Sequence, residues 1–71
     1  MKYRMIFKTP IGTYTTLVKE DSYELVQEKV YTFPERYKED AKVTIAIAED
    51  KVVTIPYNVL LNSVLEVEFN V

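Results

Sequence analysis

Residues 2–19 read KYRMIFKTPIGTYTTLVK, and the alternation in this stretch decides the fold. Tyr3, Met5 and Phe7 alternate with Lys2, Arg4 and Lys8, the period of two that marks a half-buried strand, with Ile6 the exception on the polar side. Thr9-Pro10-Ile11-Gly12 follows as a turn, because proline presets φ at the second position and glycine is favoured at the fourth. A return strand over 13–19 with Thr9 facing Gly12 sets Phe7 opposite Tyr14, Met5 opposite Thr16 and Tyr3 opposite Val18, while Arg4 faces Leu17 on the other side.

Beyond this hairpin, Asp21 followed by Glu24 has the spacing of a helix start, where a capping carboxylate accepts from orphan backbone N–H groups and acids favour the positive end of the dipole. Tyr23, Val26, Val30 and Phe33 then fall on one narrow helical stripe, with Glu24, Gln27 and Glu28 turned away. Pro34 ends or kinks that helix, leaving 35–40 as a polar connection or a single turn. Val43, Ile45 and Ile47 restart the period of two, and Glu49-Asp50-Lys51 supplies a turn before Val52-Val53-Thr54-Ile55. A three-residue loop there pairs Ile47 with Val53 and Ile45 with Ile55. Pro56 ends the strand or marks it as an edge; 57–63 has room for one short helical turn that packs Val59 or Leu60 inward, and Asn62 suits a left-handed exit. A last strand over 64–71 puts Leu65, Val67, Phe69 and Val71 in the core row and Glu66, Glu68 and Asn70 outside.

The expected architecture is one α+β domain over 1–71, in the order ββαββ, short helical turn, β, with a mixed sheet packed on one helix. This order resembles the ubiquitin-like β-grasp family. The residues that carry the likeness are Ile6-Phe7-Lys8-Thr9 entering the turn at Gly12, Asp21-Ser22 opening the helix, and Tyr57-Asn58-Val59 before Ser63-Val64-Leu65. The resemblance implies a rigid noncatalytic scaffold for protein recognition, with the first and last strands as parallel neighbours. It departs from the conjugated modifiers in ending on Phe69-Asn70-Val71 where they carry a diglycine tail, so covalent conjugation is not expected. Lys51-Val52-Val53-Thr54-Ile55-Pro56 is also similar to the Val-Thr-Ile-Pro stretch of swapped-hairpin bacterial DNA-binding proteins, without their following Gly-containing loop.

Composition narrows the function classes. The chain of 71 residues has no Cys and no His and a formal charge of −2, so it lacks an imidazole base, a thiolate and any ordinary zinc ligand set. Its single glycine cannot build a phosphate-binding loop of several glycines. Neither Glu66 with Glu68 nor Glu49 with Asp50 has calcium-loop spacing, so no catalytic residue, metal or cofactor is expected. No apolar run nears the roughly 18 residues of a membrane span, and Lys8 and Thr9 interrupt the N-terminal apolar stretch, so a cytoplasmic location is expected. The excess of Lys over Arg suggests a bacterium or phage with an AT-rich genome.

Two partner classes follow. Ile6, Leu17, Ala46 and Val64 are expected to form a small apolar patch on the open sheet face, a contact surface for another protein or for a homodimer. Lys2, Arg4, Lys8 and Lys19, with no acid among the first 19 residues, form a basic face that a nucleic acid could use, interleaved with Tyr3, Phe7 and Tyr14. Those aromatics fall on the face expected to cover the helix, and the neighbouring first and last strands that the β-grasp resemblance implies would set Glu66 and Glu68 beside Lys2, Arg4 and Lys8, so charge pairing is favoured over nucleic acid. Tyr31 and Tyr37 suit core packing and interface contact equally.

Overall fold

The computed structural model describes residues 1–71. In chain order it contains β1 (Lys2–Thr9), β2 (Gly12–Thr15), β3 (Lys19–Glu20), α1 (Tyr23–Tyr31), a 3-10 turn at Glu35–Tyr37, β4 (Lys42–Ala48), β5 (Lys51–Pro56), α2 (Tyr57–Leu60) and β6 (Val64–Phe69). β1 is the strand on which the rest assembles: β2 and β3 share one of its edges and β6 takes the other, while β4 and β5 form a separate two-stranded sheet. Buried Tyr3, Met5 and Phe7 on β1 meet Val26 of α1, Val43, Ile45 and Ile55 of the second sheet, and Leu60 of α2. Only nine of 71 residues are buried, so this core is small and most apolar side chains stay partly wet. No helix is long and apolar enough to cross a membrane.

The turn forms as its residues dictate. Thr9 pairs with Gly12, the Thr9 hydroxyl donates to the Gly12 carbonyl at 2.7 Å, and the Ile11 N–H donates back to Thr9 Oγ1 at 3.2 Å. Gly12 sits at φ 153°, where an L side chain would be strained and its Cβ would press on the Tyr14 hydroxyl at 3.1 Å. Phe7 faces Tyr14 as the alternation requires. The return strand then breaks. Buried Thr16 donates its N–H to the Met5 carbonyl and accepts the Met5 N–H through Oγ1 at 2.9 Å, so a side chain takes the place of a backbone carbonyl. Leu17 turns its N–H to the Ala46 carbonyl of β4, linking the two sheets. The residue spent in this detour moves the register on by one: Tyr3 faces Lys19, not Val18, and Lys2 faces Glu20.

α1 is capped by Ser22, whose hydroxyl accepts from the Leu25 N–H at 3.3 Å, and not by Asp21, which is bonded to Tyr3 instead. The helix stops before Pro34, with Thr32 at its C-cap. In the second hairpin Ala48 faces Lys51 across a two-residue turn, and a bulge at Ile47 brings Ile45 opposite Val53 and Val43 opposite Ile55. This replaces the expected pairs by a shift of two positions, which leaves every side chain on its expected face. Asn62 does not exit left-handed; its side-chain amide donates to the Asn58 carbonyl, and Asn70, at φ 61°, ends β6 short of Val71.

The largest departure concerns β6. It is the neighbour of β1, as the β-grasp resemblance implies, but it runs antiparallel, with Tyr3 facing Phe69, Met5 facing Val67 and Phe7 facing Leu65. Every strand pairing in the molecule is antiparallel, so the expected mixed sheet is not formed. The result is an α+β domain that departs from the expected order in splitting the return strand into β2 and β3, from the expected single sheet in giving β4 and β5 a sheet of their own, and from the expected direction of the closing strand.

Candidate functional site

β6 is the last strand of its sheet, and α1 lies across the same inner face. The stripe Tyr23, Val26, Val30 therefore extends past the final strand, with no further strand beneath it. Val26 is buried, but Tyr23 is 47% exposed and Val30 40% exposed. Between helix and strand a groove of about 290 Å³ opens, lined by Tyr23, Val26, Gln27, Val30 and Tyr31 on one side and Leu65, Val67 and Phe69 on the other. Only Gln27 among these is polar. Tyr23 and Phe69 approach with ring centroids 5.9 Å apart. The volume lies at the lower limit of the roughly 300–1,000 Å³ typical of ligand pockets, enough for a few apolar side chains.

The backbone beside this groove is also free. Asn70 donates its N–H to the Lys2 carbonyl, and the β1 groups that face β2 belong to odd-numbered residues, as Met5 shows with Thr16. Hydrogen-bonded and non-bonded pairs alternate along an antiparallel ladder. Glu66 and Glu68 therefore bond to β1, whereas Leu65, Val67 and Phe69 turn their N–H and C=O groups to the outer edge. Their side chains line the groove, so apolar surface and unused hydrogen-bonding groups come from the same three residues.

A polar clamp fixes the helix that forms the opposite wall. The Tyr3 hydroxyl donates to Asp21 Oδ2 at 2.5 Å and accepts from Lys29 Nζ at 3.0 Å, and Lys29 reaches the same Asp21 oxygen at 3.2 Å. The Tyr3 hydroxyl and the Lys29 ammonium hold the Asp21 carboxyl below the usual range. Burial and the Asp21 carboxylate raise the Tyr3 phenol, and the Tyr3 hydroxyl followed by Asp21 raises Lys29. All three shifts hold the groups in the protonation states they have at neutral pH.

The residues expected from sequence divide differently. Ile6 and Val64 do share the open sheet face, as diagonal neighbours, because Ile6 faces Glu66 and Val64 faces Lys8. Leu17 and Ala46 lie together at the joint between the sheets, held by the Leu17 N–H to Ala46 carbonyl bond. Exposed Val52 stands opposite Ala46 and adds to that end of the surface. The basic face is not one row. Arg4 is bonded to Glu68 at 2.5 Å and Lys8 to Glu66 at 2.9 Å, so the first and last strands do pair their charges, across an antiparallel ladder and without Lys2. Lys2 faces Glu20, and Lys19 stands opposite inward-facing Tyr3, where burial and then the Lys29 charge lower its pKa.

The groove was not foreseen, because Tyr23, Leu65, Val67 and Phe69 carry the same apolar signal whether this chain covers them or another does. Tyr31, which with Tyr37 suited core packing and interface contact equally on sequence, lies on α1 beside the stripe and is 81% exposed. Neither a protein-family model, nor a curated protein, nor a solved structure matches this chain.

Proposed function

We propose that this chain is a noncatalytic protein-recognition module whose contact surface is the groove between α1 and β6. The observation that carries it is the coincidence of an apolar groove with an unpaired strand edge contributed by Leu65, Val67 and Phe69. A small core supports the same reading: α1 buries only Val26 and leaves Tyr23, Leu25, Val30 and Tyr31 exposed, which is costly for a free helix and useful for one that receives a partner. The noncatalytic part rests on the lack of His and Cys, which leaves the chain no imidazole base and no thiolate, and the clamp agrees with it. A general acid or base works best with a pKa near the operating pH, and the Tyr3, Asp21 and Lys29 shifts all run away from neutrality. The ubiquitin-like resemblance contributes the element order alone, since the direction of β6 differs from it. Nucleic acid binding would need a continuous cationic surface, and two of the four candidate cations are already paired.

The test is capture from native-host lysate with the tagged chain, in parallel with Val30→Asp and Leu17→Asp, after nuclease treatment and at varied salt. One stoichiometric protein that survives nuclease, is insensitive to salt and is lost with Val30→Asp is the expected result. Loss with Leu17→Asp alone would move the contact to the open-face patch of Ile6, Leu17, Ala46 and Val64. Loss of all bound material with nuclease would favour nucleic acid, whose binding falls steeply with salt through counterion release.

A further inference from the structure

From the backbone phase of β6 and the charges on its outer row, we infer that the groove receives an extended segment of another protein, which adds as a strand to β6 and alternates apolar residues with Lys or Arg. The inference rests on the proposed recognition role and specifies the partner's chemistry. Three observations lead to it. Leu65, Val67 and Phe69 offer their N–H and C=O groups outward, which is what strand addition requires, main-chain bonds giving affinity and pockets for alternate side chains giving specificity. The same three side chains are only half-buried and line the groove, so alternate residues of an added strand drop between them and α1. On the opposite face Glu66 and Glu68 each use one carboxylate oxygen on Lys8 or Arg4, and the second oxygen of each makes no hydrogen bond within the chain. An added strand therefore meets apolar surface on one side and carboxylates on the other.

The chain already contains a segment of this type. β1 presents Tyr3, Met5 and Phe7 inward and Arg4 and Lys8 to Glu68 and Glu66, on the inner edge of the same strand. The inferred partner repeats that pattern on the outer edge, giving each glutamate a cation on both sides.

A second copy of the chain fits less well. The register that engages Leu65, Val67 and Phe69 of both copies pairs Val67 with Val67 and sets each Glu66 opposite Glu68 of the second copy. Like charges directly opposite destabilise a strand pair. A helical ligand would fill the groove and leave the edge amides unused.

The probe is a synthetic acetylated and amidated heptapeptide, Lys-Val-Lys-Tyr-Lys-Val-Lys, compared with the same peptide carrying Glu for Lys and with one N-methylated at its three apolar residues. Expected results are binding of the basic peptide, new exchange protection of the Leu65, Val67 and Phe69 amides, and loss of binding on N-methylation. Glu66→Gln with Glu68→Gln should weaken binding about 2- to 30-fold, the range two cross-strand charge pairs allow. Equal binding of the acidic peptide overturns the charge rule. Binding that leaves the three amides unprotected overturns strand addition, and a concentration-dependent dimer protecting those amides overturns the heterologous partner. If no peptide binds while lysate capture still depends on Val30, this inference fails and the recognition role stands; if capture is also indifferent to Val30→Asp, both fail.

Discussion

Replacing Tyr3 by Phe removes one oxygen from the clamp that holds α1 over the sheet, and nothing else. The ring stays in the core beside Met5 and Phe7, so no cavity term arises. What disappears is a bond donated to the Asp21 carboxylate and one accepted from the Lys29 ammonium, both charge-assisted. Such bonds contribute about 1.5–3 kcal/mol each when fully counted. Here Asp21 and Lys29 keep each other at 3.2 Å and remain within reach of water, so neither charge is orphaned. The expected loss is therefore about 2 kcal/mol, a large part of the roughly 4–11 kcal/mol that a domain of this length holds. Melting should fall by about 8–16 °C. The pH dependence carries a sign. Asp21 has a lower pKa folded than unfolded, so its contribution is complete above the unfolded value and drains away as pH falls through the folded one. The Tyr3 hydroxyl is the first cause of that depression, so the gap between wild type and Tyr3→Phe should narrow below about pH 4. Urea denaturation at pH 7 and pH 3 measures both, with the midpoint shifting at constant slope. A loss under about 0.5 kcal/mol, or an equal loss at both pH values, would refute the clamp.

Thr16→Val keeps the shape of a buried side chain but leaves the Met5 N–H without an acceptor; it should cost about 1–3 kcal/mol in urea titration, and Thr16→Ser should recover most of it. Val26→Ala deletes the only buried side chain of α1, and amide exchange should report the helix opening ahead of the sheet while the β1 ladder stays protected. Arg4→Ala should cost no more than about 1 kcal/mol, less at high salt, because both partners of the Arg4–Glu68 pair are exposed.

How much of this was legible in the sequence depends on what alternation can encode. Period two fixes the face of every side chain, so the inward row of β1 and the outer rows of cations on β1 and carboxylates on β6 could be read directly, while which cation meets which carboxylate depends on strand direction. It does not fix direction. Rows of cations and carboxylates meet equally well whether β6 runs parallel or antiparallel to β1, and the parallel direction was an implication of the β-grasp resemblance, not of any residue. The second hairpin behaved similarly: a shift of two positions moves every partner and no face. The break after β2 was hidden because Thr16 has the β-propensity of a strand residue, while its hydroxyl replaces a ladder carbonyl. At the groove, the stripe Tyr23, Val26, Val30 marked an apolar face correctly. Whether the chain has a strand to lay beneath that face depends on where the sheet ends.

Amide exchange along β6 in the free protein tests the central claim most directly. Glu66, Glu68 and Asn70 should be protected by β1, and Leu65, Val67 and Phe69 should exchange freely, in strict alternation. Protection of Leu65, Val67 and Phe69 without any added partner would contradict it, because the edge on which the proposed recognition rests would then already be occupied.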